Sequence, residues 1–295
     1  MTSPPVRTAL VTGASGQLGH ALQANVPHGW RVISYDHRQL DITNDAQVHF
    51  VVGRERPGLV INTAAYTAVD AAESEPERAA AVNTGGAANV AQAARGIGAR
   101  VVHLSTDFVF DGSHGRPYLP ADATNPLGVY GRTKLEGERE VARIAEGSAV
   151  ILRSSWIYGT EGKNFVLTML RFMREKESVG VVTDQVGTPT WDRSLAEAVW
   201  MIAERPEMRG VHHWTDAGVA SWYDFAVAIQ EEAMSLNLLE RAVPIRPIRA
   251  AEYPTPATRP PYSVLDKSET WAALGSTPPH WRNNLRAMLR GLPRG

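Results

Sequence analysis

Short apolar, β-branched runs alternate with alanine-rich amphipathic stretches over the first 160 residues, a rhythm that predicts βαβ units around a parallel sheet. TALVTG (8–13), RVISYD (31–36), LVINTAA (59–65), RVVHLSTD (100–107) and AVILRSSWIYG (149–159) read as five strands in order. Between them, helices are predicted over about 17–25, over NDAQVHFVVGRER (44–56) and over ERAAAVNTGGAANVAQAARGIG (77–98). Pro76 stands where the first turn of that long helix begins, and glycine closes it. The first four strands are nearly continuous in apolar residues, as strands covered on both faces must be. The fold class expected is α/β, a Rossmann-type doubly wound parallel sheet with a smaller C-terminal α/β substrate-binding domain.

Beyond residue 160 the rhythm loosens. NFVLTMLRFMREK (164–176) and LAEAVWMIAE (195–204) keep a helical period, whereas TDQVGTPTW (183–191) and AAEYPTPATRPPYSVLD (250–266) read as proline-punctuated loops. The shift sets an expected boundary, with a dinucleotide-binding domain over 1–160 and a mainly substrate-binding domain over 161–295. Segments near 179–214 are expected to return to the first sheet. Residues 111–128, DGSHGRPYLPADATNPLG, form a loop long enough to be functional or mobile.

Composition narrows the classes. Of the residues, 43% are hydrophobic and 21% charged, the net charge is −1, and no like-charge block occurs, so nothing points to a nucleic-acid or membrane surface. Absence of cysteine removes disulfides, thiol catalysis and thiolate metal sites, and fits the cytoplasmic location expected of a reducing compartment. The apolar stretch in MTSPPVRTALVTG is too short for a secretory h-region.

TGASGQLG places Gly13, Gly16 and Gly19 between the first strand and a helix. The pyrophosphate of a dinucleotide is expected to sit there on backbone N–H groups, although the spacing is G-x-x-G-x-x-G rather than G-x-G-x-x-G. Asp36, at the end of the second strand, is placed to accept hydrogen bonds from ribose hydroxyls, which favours NADH. Capping the next turn is its plain structural alternative. Arg38, two residues on, suits a 2′-phosphate, so NADH and NADPH both stay open. Asp41 and Ile42 are candidates to flank the adenine.

Tyr130 and Lys134 lie one helical turn apart and therefore share a face. An ammonium beside a phenol favours the phenolate and makes tyrosine a usable acid near neutral pH. Ser105 and Thr106 end the fourth strand, at the sheet edge where ligands bind, so Thr106 is a candidate to hydrogen-bond a carbonyl as it becomes an alkoxide.

The glycine turn, NTAAYTAVDAAESEPERAAAVN, STDFVFDG and YGRTK, in that order, resemble the extended short-chain dehydrogenases/reductases. Gly16-Gln17-Leu18-Gly19, AVDAAE, GVYGRTKLEGE, RSSWIYG, DQVGTPT and RPPYSVLD narrow the resemblance to the dTDP-4-dehydrorhamnose reductase family, over about residues 7–290. The resemblance implies reduction of the C4 ketone of dTDP-4-dehydro-β-L-rhamnose with NADPH or NADH. It implies Thr106, Tyr130 and Lys134 as the catalytic group, with Tyr130 and Lys134 also touching the cofactor. Gly16, Gln17, Leu18, Asp36, Asp41, Ile42, Ala65, Tyr66 and Thr67 are implied cofactor contacts, and Thr106, Asp107 and Trp156 implied contacts to the sugar nucleotide. A reductase of another dTDP-4-keto-deoxysugar, and a non-catalytic subunit like the regulatory subunits of methionine adenosyltransferase, are the alternatives. Dehydration is disfavoured, because Phe108 follows Asp107 where a dehydratase carries a second carboxylate. Some family members hold magnesium in a dimer through glutamates at positions that are here Ala21, Arg193 and Arg282. Neither alanine nor arginine ligates magnesium, so no metal site is expected, and the chain is expected to be a monomer or weak homodimer.

Overall fold

The computed structural model describes residues 6–293; the MTSPP portion of the N-terminal reading and the last two residues of the second expected domain lie outside it. Strand β1 (Arg7–Thr12) runs into helix α1 (Gln17–Ala24), β2 (Trp30–Tyr35), α2 (Asp45–Glu55) and β3 (Leu59–Asn62). A compound helix, β4 (Arg100–Thr106), a helix over Val129–Ala145 and β5 (Ala149–Ser154) follow. The pairings of this central sheet are parallel, in the order β2-β1-β3-β4-β5, with a sixth strand, Gly210–His213, added beside β5. One face is covered by α1 and the Asp192–Ala203 helix through Leu22, Leu195 and Trp200. The other is covered by α2 and the 87–96 and 129–145 helices through Val52, Val90 and Val141. Burial on both faces is why the inner strands carry so few polar residues.

A second apolar cluster forms from Tyr158 onward, with Val166, Met173, Phe225 and Leu285 at its centre. Val179–Val182 pairs there with Ile245–Ile248. The stretch read as a loop over 183–191 contains two short strands, a departure from expectation. Val186–Gly187 pairs antiparallel with Ala220–Ser221, and Thr190–Trp191 pairs with Ile157–Tyr158. Two-residue strands carry no periodicity of their own, and their pairing comes from partners distant in sequence.

The long helix over 77–98 departs too. Its residues 76–80 and 87–96 are α-helical, but Ala81–Gly86 widens into a π-helical turn. Asn83 sits in that bulge. Its Oδ1 accepts from Tyr66 N at 2.9 Å, while Nδ2 donates to Tyr66 O at 3.2 Å and to Thr133 Oγ1 at 3.1 Å. One side chain thus ties the loop after β3 to the helix carrying Tyr130. The two helices meet at Gly137, where a Cβ would lie 2.1 Å from Asn83 O. Glycine to alanine inside a helix ordinarily stabilises by ~1 kcal/mol. Here Gly137→Ala is expected to lower the thermal unfolding midpoint; a raised midpoint would show that the helices do not approach this closely.

Candidate active site

A cleft of about 850 Å³ opens along the carboxyl ends of β1, β3 and β4. Strand order reverses beside β1, which is where open α/β sheets bind ligands. Gly13 leaves β1 with φ of 70°, and a side chain there would lie 2.7 Å from Ala64 N, so only glycine meets both constraints. Helix α1 starts at Gly16 without a capping side chain. Its first-turn N–H groups therefore remain for an anion, and the cradle fits a dinucleotide pyrophosphate. Gly13, Gly16, Gln17, Leu18 and Gly19 line the cleft, as do Asp41, Ile42, Ala65, Tyr66 and Thr67 farther along.

Two expected cofactor contacts stand apart. Asp36 and Arg38 are not part of the cleft wall. Asp36 Oδ1 accepts from Arg38 N at 2.9 Å and Gln39 N at 3.0 Å, closing the turn after β2, and Arg38 is exposed. His37, Thr43, Arg78 and Lys163 line the cleft without having been singled out in the sequence.

At the other end stand Thr106, Asp107, Tyr130, Lys134 and Trp156. Glu73, from the AVDAAE segment, accepts Val129 N at 2.8 Å and so closes the first turn of the Tyr130 helix. The phenol lies edge-on to Phe108, with ring centroids 5.8 Å apart. Burial pushes its pKa up to about 12, opposed by the neighbouring Thr106 hydroxyl and reinforced by Asp107. Lys134 is 3% exposed, and burial pulls it down to about 8 while Glu138 opposes the fall. Its Nζ donates to Leu104 O at 2.6 Å. Without cofactor the Lys134 ammonium is thus held by a β4 carbonyl, and desolvation is the largest influence on the phenol.

Beneath them a buried polar row crosses three strands in register. Thr12 Oγ1 donates to Asn62 Oδ1 at 2.6 Å, so Asn62 Nδ2 faces His103 Nδ1 at 3.1 Å as donor. The imidazole proton is then on Nε2. Burial and Lys134 hold His103 well below its ordinary pKa, so it adds no positive charge next to the lysine.

Trp156 has φ of 46°, a left-handed conformation uncommon for a bulky residue. Such strain persists where surrounding structure enforces it and clusters at functional sites. Its indole stacks on Trp222 at 3.5 Å and 6°, and Ser155 Oγ anchors the turn to Thr188 O at 2.8 Å. Trp222, like Asn83, was invisible as a site residue because it acts by supporting another side chain.

Among the described residues no group of three or more His, Asp and Glu is arranged to hold a metal, and no helix is long and apolar enough to cross a membrane. Ala21 is buried, Arg193 Nε donates to Glu197 at 3.0 Å, and Arg282 Nε donates to Glu232 at 2.9 Å.

With the β1 glycine turn and the Tyr130 helix facing one cleft across a doubly wound sheet, the chain falls in the class of extended short-chain nicotinamide-dependent oxidoreductases. Residues 7–293 match the family described as RmlD substrate binding domain, and the chain belongs to that family. It is 41% identical over 284 residues to a dTDP-4-dehydrorhamnose reductase of Aggregatibacter actinomycetemcomitans, covering 94% of this chain and 96% of that one. A solved dTDP-4-dehydrorhamnose reductase of Clostridium acetobutylicum superposes with a TM-score of 0.90 at 38% identity, over 96% of this chain and 98% of the other. The enzyme of the same description from Bacillus anthracis, solved in complex with NADP, superposes with a TM-score of 0.90 at 35% identity, over 96% and 99%.

Proposed function

We propose that this oxidoreductase reduces the C4 ketone of dTDP-4-dehydro-β-L-rhamnose to give dTDP-L-rhamnose, with Tyr130 as the general acid. The observation that carries the reading is that Thr106, Tyr130 and Lys134 share one cleft with the glycine turn. A bound nicotinamide supplies the hydride. The chain's own tasks are to hold the carbonyl, give it a proton and exclude water. Thr106, 5% exposed at the end of β4, supports the developing alkoxide. Tyr130, with a raised pKa, is protonated before transfer and so arrives loaded as a donor. Lys134 Nζ, once drawn from Leu104 O, is placed to meet the cofactor ribose. Trp156 offers an indole face for the deoxysugar ring, and the apolar cluster behind it gives the region beyond residue 160 its substrate-binding role. A dTDP-sugar is the partner read for this cleft.

The test is oxidation of NADPH and of NADH with dTDP-4-dehydro-β-L-rhamnose, with dTDP-L-rhamnose as product. Turnover of other dTDP-4-keto-deoxysugars alone would move the assignment to one of them; no turnover with either cofactor would overturn it. Because Arg38 lies outside the cleft wall and Asp36 is engaged by the turn, Arg38→Ala is expected to leave the ratio of NADPH to NADH efficiency unchanged. A fall in the NADPH rate alone would return the 2′-phosphate to Arg38.

A further inference from the structure

We propose that Asp107 is the proton store of the reaction, recharging Tyr130 through the Thr106 hydroxyl. The inference rests on the ketone-reduction reading above. Each turnover consumes one proton beyond the hydride, and the phenolate left on Tyr130 must be refilled. On one side of the phenol stands Lys134, whose Nζ donates to Leu104 O until the cofactor ribose draws it away. Asp107 is adjacent on the other side. Its carboxyl is 2% exposed, and among the described residues it has no ion-pair partner. Oδ1 lies 3.1 Å from Thr106 Oγ1, while Oδ2 is buried without a hydrogen-bond partner. Thr106, in turn, is the hydroxyl that favours the Tyr130 phenolate. The carboxyl, the Thr106 hydroxyl that donates to it and the Tyr130 phenol thus stand on one wall of the cleft.

A carboxyl enclosed without a cation favours its neutral, proton-carrying form. Burial pushes Asp107 up to about 7, opposed by the Ser263 and Thr106 hydroxyls and by the Asp107 and Phe108 backbone N–H groups. The groups facing it are Tyr130 on the helix, Thr106 at the end of β4 and Ser263 on the C-terminal segment. In the step, the Tyr130 O–H bond breaks as the proton joins the substrate oxygen. Thr106 then gives its proton to the phenolate and takes the one from Asp107, and the carboxylate is reprotonated by water after product leaves. Ketone, reduced nicotinamide and one solvent proton become alcohol and oxidised nicotinamide.

The experiment is the pH dependence of kcat and KM for wild type, Asp107→Asn, Thr106→Val and Thr106→Ser, with folding checked by thermal unfolding and nicotinamide binding by fluorescence. Wild-type kcat is expected to fall as pH rises through about 7, where the store empties. Asp107→Asn is expected to lose this limb and to be slower by ~10²-fold on its acid side, converging with wild type at high pH. Thr106→Val should give the same flat profile, and Thr106→Ser, which keeps the hydroxyl, should restore the limb. A rise in KM for Asp107→Asn with the limb intact would overturn the relay and leave Asp107 as a sugar contact. Absence of wild-type turnover would instead overturn the reductase reading and the relay with it.

Discussion

Tyr130→Phe is expected to lower kcat for the 4-keto-sugar nucleotide by ~10²–10⁴-fold, the usual worth of a positioned general acid, while nicotinamide binding stays close to wild type. The substitution keeps the ring that packs edge-on against Phe108 and removes only the hydroxyl. The Val129–Ala145 helix should remain in place, since its anchors are Glu73 at its start and Asn83 at Thr133. Steady-state nicotinamide oxidation measures the first quantity, and quenching of tryptophan fluorescence by the cofactor the second. Equal loss of both would mean that Tyr130 organises the site. Unchanged kcat would remove it from the chemistry altogether.

The parts of this site that were legible in the sequence are those where one residue type answers one local demand. Gly13 is required by a positive φ beside Ala64, and a Tyr–Lys pair one helical turn apart needs only helical geometry to share a cleft. The parallel sheet was legible because burial on both faces imposes apolar runs. What stayed hidden depends on partners far along the chain. Asn83 bridges Tyr66 and Thr133, and the π-helical bulge around it interrupts a stretch whose alanines fit a regular helix. Trp222 gains its role only when the left-handed turn at Trp156 lays one indole on the other. Two local bonds were equally hidden from motif position: Asp36 Oδ1 accepts from its own turn, and Lys134 Nζ donates to the Leu104 carbonyl.

The largest stability effect is expected one turn beyond Lys134, at Glu138 and Arg153. Both are 3% exposed. Arg153 Nη2 and Nε donate to Glu138 Oε2 at 2.6 Å and Oε1 at 2.9 Å, and Ser105 Oγ donates to the same carboxylate. The guanidinium also lies 5.1 Å over the Phe110 ring, and with burial it pulls His213 down to about 3, keeping that imidazole neutral. The pair joins the Tyr130 helix to β4 and β5 directly beneath the site. Removing one partner strands the other in a medium that solvates charge poorly, so Glu138→Leu and Arg153→Met should each cost ~3–5 kcal/mol in denaturant unfolding. The double substitution should regain most of that loss, because two apolar side chains leave no uncompensated charge. Additive losses in the double variant would show that the residues act by packing and not as a pair. The pair also acts on the chemistry, since Glu138 opposes the fall of the Lys134 pKa. Glu138→Leu should therefore lower the Lys134 pKa further, a shift that carbon-13 NMR of the labelled lysine methylenes would record and that simple loosening of the helix would not produce.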